Sequence, residues 1–219
     1  EVDGTVAICR DVTDQAEREH QLRVLDRILR HNLYNKMNLI LGHAELLEDR
    51  TTGQEKRSVQ TIQNTGNELV DLADKERRIV DLLTDDSVPR RLGVRPILEE
   101  VVSGLREEHP DHSISVDCPE AYDVYAIPEL SDAIAELLTN AIVHGGEDPD
   151  VSVSVRRDGE QIVLTVADTG PGIPEMERQA AQGTTDITPL FHGSGLGLQF
   201  VYHVAKRSGG SLRFESAEA

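Results

Sequence analysis

Apolar residues follow two rhythms along this chain, and the change between them divides it. Leu22, Leu25, Leu29, Leu33, Met37, Ile40, Ala44 and Leu47 recur at three- and four-residue steps, the stripe of an amphipathic helix. The pattern predicts a helix from about Gln15 to Glu48, roughly 50 Å long at about 1.5 Å per residue. Asp49 to Gly53 is polar and interrupts it. A second helix is predicted from about Gln54 to Leu83, burying Val59, Ile62, Leu69, Leu72, Ala73, Val80 and Leu83. Two helices with one narrow stripe each cannot close a core alone. A dimer of hairpins, forming a four-helix bundle, is the simplest arrangement that can.

Asp85 to Leu92 is charged, contains Pro89 and reads as a linker. Beyond it the rhythm alternates between helix and strand. Pro96 to His109 predicts a helix, and Ser113 to Asp117 and Tyr122 to Ala126 predict short strands. Pro128 opens a helix over Glu129 to His144. Val151 to Arg157 and Gln161 to Ala167 predict a hairpin about the turn Asp158-Gly159. A loop rich in Gly, Thr and Pro runs from Asp168 to Gly195. A helix over Leu196 to Ser208, stopped by Gly209-Gly210, leads to a strand over Ser211 to Glu215. The expected fold class is α+β: a dimerising helical hairpin followed by a two-layer α/β sandwich. At the other end, Val6, Ile8 and Val12 predict a strand, with Thr13 or Asp14 capping the long helix.

Charge narrows the partners. The formal net charge is -18, a field that repels nucleic acid and anionic lipid. No apolar run is long enough to cross a bilayer, and Cys9 and Cys118 alone make neither a disulfide framework nor a zinc site. The expectation is a cytoplasmic location in a reducing compartment for this stretch, which begins without Met and reads as a fragment. Lys36, Lys56, Lys75 and Lys206 are the only lysines. Dispersed acid with scarce lysine resembles the proteins of salt-loving archaea, where screening weakens self-repulsion; an ordinary acidic protein would show the same composition.

Three clusters in the second half carry candidate chemistry. Glu136, Asn140 and His144 recur every fourth residue, on one helix face. Their oxygens suit Mg²⁺, which keeps several waters when bound with phosphates; a solvated helix face would show the same spacing. Asp168-Thr169-Gly170-Pro171-Gly172-Ile173 follows a strand directly. An Asp there can accept from an exocyclic amine such as that of adenine, though a Gly-Pro turn with a capping Asp would read alike. Gly193-Ser194-Gly195-Leu196-Gly197-Leu198 opens a helix and can expose backbone N–H groups to phosphate oxygens. It has no preceding strand, as a dinucleotide fingerprint needs, and lacks the Lys-Ser/Thr end of a P-loop.

Together the clusters resemble the N, G1 and G2 boxes of the gyrase and histidine-kinase ATPase superfamily, over about Val94 to Glu215. The resemblance implies ATP and Mg²⁺ as cofactors. It implies Asn140 as the Mg²⁺ ligand, with Glu136 holding the metal or its water. Asp168 would read adenine, with Gly170 and Gly172 shaping the base pocket, and Ile173 and His144 would be further cofactor-binding residues. Gly193, Ser194, Gly195, Leu196 and Gly197 would cradle phosphates, and Glu175 to His192 would form a lid, His192 supplying a polar contact from it. Kinases often carry a basic residue where Val143 stands, and one more edge strand usually follows where this chain stops.

His31 completes the resemblance. Arg30-His31-Asn32-Leu33-Tyr34-Asn35-Lys36 lies mid-helix, and His31 points away from the Leu25–Leu29–Leu33 seam. A surface His would do the same, but here a hairpin precedes an ATPase-like domain. The segment resembles the H box of sensor histidine kinases, and Arg-His-Asn-Leu an archaeal variant of it. That implies His31 as phosphoacceptor. Asn32 stands where an acid is usual and Lys36 where a Pro is usual. Asn32 can orient the ring but cannot take its proton. Asn35, on nearly the same face, would take the place of the amide or hydroxyl that positions water for dephosphorylation of the partner.

The domains so implied are 1–14, resembling the end of a PAS sensor domain; 15–88, coiled-coil lead and dimerisation hairpin; and 89–219, the ATP-binding domain. The implied function is autophosphorylation of His31 and transfer to an Asp of a response-regulator receiver domain. The homodimer and an upstream sensor domain are the other implied partners, and nucleic acid is not one. The alternatives are an ATPase that drives motion, as gyrase and the heat-shock chaperones do, and a phosphatase-biased or non-catalytic relay scaffold.

Overall fold

Helix α1 spans Thr13–Glu48 and α2 spans Gly53–Thr84. They belong to a computed structural model that describes residues 13–84, 87–146, 149–181 and 194–215, with side chains from residue 28 in α1 and from residue 195 in the last helix. The strand expected over Val2 to Val12 lies outside the described residues. Thr51 ends α1 by donating its hydroxyl to Leu47 O at 2.9 Å, satisfying one of the terminal carbonyls that a helix leaves free. The chain divides into two compact units, Glu1–Ala73 and Asp74–Ala219, and α2 runs through the division.

In the first unit, the hairpin buries Met37, Ala44, Val59 and Ala73, and Gly66 packs against Met37 and Leu41. Much of the expected stripe stays open: Leu29, Ile40 and Leu47 of α1 and Ile62 and Leu69 of α2 are exposed, as are Ile28, Leu39 and Leu46.

The second unit takes the last turns of α2 and nine further elements. They are β1 (Arg90–Gly93), α3 (Val94–Glu108), β2 (Ile114–Asp117), β3 (Asp123–Ala126), α4 (Leu130–His144), β4 (Val151–Asp158), β5 (Gln161–Ala167), α5 (Glu175–Ala181) and α6 (Ser194–Arg207). β2 runs parallel to β4, and β4 antiparallel to β5, giving the order β2-β4-β5. Val151, Val153 and Val155 of β4 alternate inward, with Val166 opposite Val153 and Leu164 opposite Val155. Against that face α3 sets Leu98, Val102 and Leu105, and α4 sets Ile134, Leu138, Ala141 and Ile142. This is a two-layer sandwich, one sheet face covered by two helices. A second cluster joins Ile79 and Leu82 of α2 to Ile127, to Ala133 of α4 and to Phe200, Val201 and Val204 of α6.

Four local expectations are corrected. The linker read over Asp85 to Leu92 runs into β1, which pairs antiparallel with β3; Arg90-Arg91-Leu92-Gly93 has one apolar side chain, so no alternation announces it. Ser211 to Glu215 is not a strand; Leu212 packs on the second cluster instead, and a strand exists only where its backbone finds a ladder partner. The loop after Asp168 contains α5, whose Glu175 pairs with Arg178 at 2.9 Å and whose Ala180 and Ala181 are buried. In α2, Leu83 is 57% exposed while Leu82 is 2% exposed, because the last turns pack on α4 and α6 and a different face of the helix points inward.

Candidate functional site

Helix α4 carries Glu136, Asn140 and His144 in a gradient from the core to the surface: buried, half-buried and exposed. Glu136 is the one buried charged residue among the described residues, at 7% exposure. Each of its oxygens meets a cation of α2. Lys75 Nζ lies 3.1 Å from Oε1, and Arg78 Nη2 donates to Oε2 at 2.8 Å. Arg78 also stacks on the buried Phe200 ring of α6, 5.1 Å from its centroid. A buried carboxylate tolerates its site only when paired in this way.

Glu136 also sits against the first turn of α6. A Cβ on Gly197 would overlap Glu136 Oε1, so this contact needs glycine. The helix begins at Ser194, which places Gly195, Leu196 and Gly197 inside its first turn rather than in a loop before it. Gly195 and Gly197 are buried and Leu196 is half-buried against the second cluster. The first N–H groups of a helix have no partner within it, and together with the dipole they suit an anion. His192 and Gly193 lie outside the described residues, as does the side chain of Ser194.

Asp168 follows β5 and is exposed; its Oδ1 accepts from Gly170 N at 2.8 Å. That bond fixes the carboxylate and leaves Oδ2 to accept from a ligand. Gly172 has φ +78°, a backbone that favours glycine, and Ile173 beside it is half-buried. A hollow of about 270 Å³ lies between Ser113, Ser115, Ser152, Asp168 and Thr169. Asn140 and Gly197 do not line it, so it is not where the three clusters would meet a common ligand.

The residues fit a magnesium nucleotide. Asn140 Nδ2 is buried with no hydrogen-bond partner among the described residues, an orphan donor that a phosphate oxygen would satisfy, while the amide Oδ1 is the atom that would face Mg²⁺. No three His, Cys, Asp or Glu side chains converge as a metal cage among the described residues. Mg²⁺ held by one or two protein oxygens, waters and phosphates needs none.

In the first unit His31, Asn32 and Asn35 are exposed on α1. Asn35 Nδ2 lies 3.2 Å from His31 Nδ1 and 3.4 Å from Nε2. A ring nitrogen that accepts from an amide keeps its lone pair there, and its partner nitrogen carries the proton. Sequence reasoning brought in all these residues but missed Lys75 and Arg78. Their three-residue spacing, in step with Ile79 and Leu82, was the available signal.

Residues 126–219 match the model of the family "Histidine kinase-, DNA gyrase B-, and HSP90-like ATPase". Sensor histidine kinase AruS of Pseudomonas aeruginosa is 29% identical over 99% of this chain, which spans 23% of AruS. Sensor-like histidine kinase SenX3 of Mycolicibacterium smegmatis is 34% identical over 56% of this chain, and the match spans 34% of SenX3. Full-length ShkA, crystallised in complex with AMPPNP, shares the fold over 87% of this chain and 41% of its own, with TM-score 0.57 and 23% identity. The chain thus spans about a quarter to a third of the length of these curated relatives.

Proposed function

Taking the chain as a relative of the two-component sensor histidine kinases, we propose that it phosphorylates His31 from ATP and passes the phosphoryl group to an Asp of a response-regulator receiver domain. The observation that carries this is the pairing, in one chain, of an exposed hairpin histidine with an ATPase-family fold. Asn140 would hold Mg²⁺ with the phosphates, and the ion would supply neutralisation of phosphate charge. The first turn of α6 binds anionic oxygens through its free N–H groups, and Asp168 Oδ2 accepts from the adenine amine. The unprotonated nitrogen of His31 attacks the γ-phosphorus, the bond to the ADP oxygen breaks, and the ring's other proton leaves. Positioning and charge neutralisation dominate such a reaction.

The open apolar face of the hairpin is the homodimer surface, eight large side chains that a second hairpin would cover. The upstream piece is PAS-like and would bias the hairpin, and the acidic surface suits a salt-rich cytosol. No described helix is long and apolar enough to cross a membrane.

Asn32 favours a second reading, a phosphatase-biased or non-catalytic relay, because it cannot act as a base. Incubation with γ-labelled ATP and Mg²⁺ in high salt decides between them. Acid-labile, base-stable label that is absent from His31→Gln supports the kinase. Nucleotide binding without label supports the relay.

A further inference from the structure

The cations at Glu136 come from outside the ATPase-family match, which begins at residue 126. They ride on the last turns of α2, in the same compact unit as α4 and α6. Their anchorage is double. Ile79 and Leu82, on the same helix face, are buried against Ile127, Ala133, Phe200, Val201 and Val204, and Arg207 of α6 donates to Leu82 O and, at 2.9 Å, to Ser87 O. These turns are therefore held where Lys75 and Arg78 must meet Glu136.

The charge at this point is two cations against one carboxylate. Without the cations, Glu136 would be a bare buried anion against Gly197, in the turn that offers its N–H groups to phosphate. It would repel a triphosphate and lose its own solvation. With them, the carboxylate beside that turn is paired rather than bare. α4 itself carries no Lys or Arg, and its Val143 is exposed. Each Glu136 oxygen faces one of these cations, so in this arrangement the carboxylate is the ion-pair partner of α2.

We propose that Lys75 and Arg78 are the basic positioning residues of the nucleotide site: by pairing Glu136 they make the first turn of α6 receptive to phosphate, so that nucleotide affinity depends on the end of the hairpin helix. The proposal rests on the ATP-binding reading and revises the role of Glu136, from metal holder to the carboxylate through which α2 reaches the site.

The test uses the full chain, Mg²⁺·ADP as probe, and two readouts, binding affinity and the melting temperature without nucleotide. Lys75→Met with Arg78→Met should weaken binding roughly tenfold or more, the effect of uncovering one charge near an anionic ligand at intermediate dielectric, and should lower the melting temperature. Adding Glu136→Gln to that pair should restore most of both, because the neutral amide removes the unpaired charge at nearly constant shape. The single change Lys75→Met, alone and with Glu136→Gln, repeats the comparison in a milder form if the double variant does not fold. Binding unchanged by loss of the cations would overturn the proposal. So would a triple variant that binds no better than the double, since a carboxylate needed for the metal cannot be rescued by its own removal. Wild-type chain that binds no Mg²⁺·ADP would instead withdraw the nucleotide reading itself, and the proposal with it.

Discussion

At the scale of single residues, the chemistry turns on what stands beside His31. A base positioned to take the imidazole proton is worth roughly 10²–10⁴ in rate. Asn32 is exposed and offers an amide, and Asn35 is the side chain that touches the ring. On the proposed reading, autophosphorylation of the wild type is slow. Asn32→Asp should raise the initial rate of His31 labelling by about 10² or more, measured under single-turnover conditions, with nucleotide affinity unchanged. An unchanged labelling rate would mean that the proton leaves by another route. The exposure of His31 was legible in the sequence because it follows from helical phase. The spacing of Lys75 and Arg78 placed them in step with Ile79 and Leu82, but their partner lies 58 residues from Arg78 in the chain, so no local pattern assigns them to Glu136.

At the scale of elements, α2 does two jobs. Its first part meets α1 where Gly66 packs against Met37 and Leu41, and its last turns belong to the second unit. Adjacent leucines there should behave oppositely. Leu82→Ala leaves a cavity among Ile127, Phe200 and Val204 and should cost about 2–5 kcal/mol, whereas Leu83→Ala on the exposed face should stay within about 0.5 kcal/mol. Urea unfolding followed by far-ultraviolet circular dichroism measures both; equal losses would mean that the face is misassigned. The long helices and the β4–β5 hairpin were legible because each carries many periods of its pattern. The four residues of β1 and the seven of α5 carry too few, and pairing and burial decide them instead.

At the scale of the whole molecule, charge dominates. A net charge of -18 on 219 residues repels itself in the folded state. The ion pairs that offset it on the surface, such as Arg91 with Asp123 and Arg156 with Asp117, are exposed and individually weak. Screening should then help more than it harms: the Debye length falls from about 10 Å at 0.1 M salt to about 3 Å at 1 M. Raising NaCl from 0.1 to 2 M should raise the melting temperature by several degrees, and a flat or falling curve would show that specific pairs outweigh the general field.

The sequence by itself determined the long helices, the β4–β5 hairpin and the exposure of His31, since these depend on helix phase and strand alternation at short range. Only the tertiary structure decided which face of α2 is buried at its end, that Gly195 and Gly197 lie within α6, and that Glu136 is shared between two cations. Those outcomes depend on which surfaces meet. A buried carboxylate selects its partners from whatever the packing brings within about 3 Å, and nothing in the spacing of a chain encodes that distance.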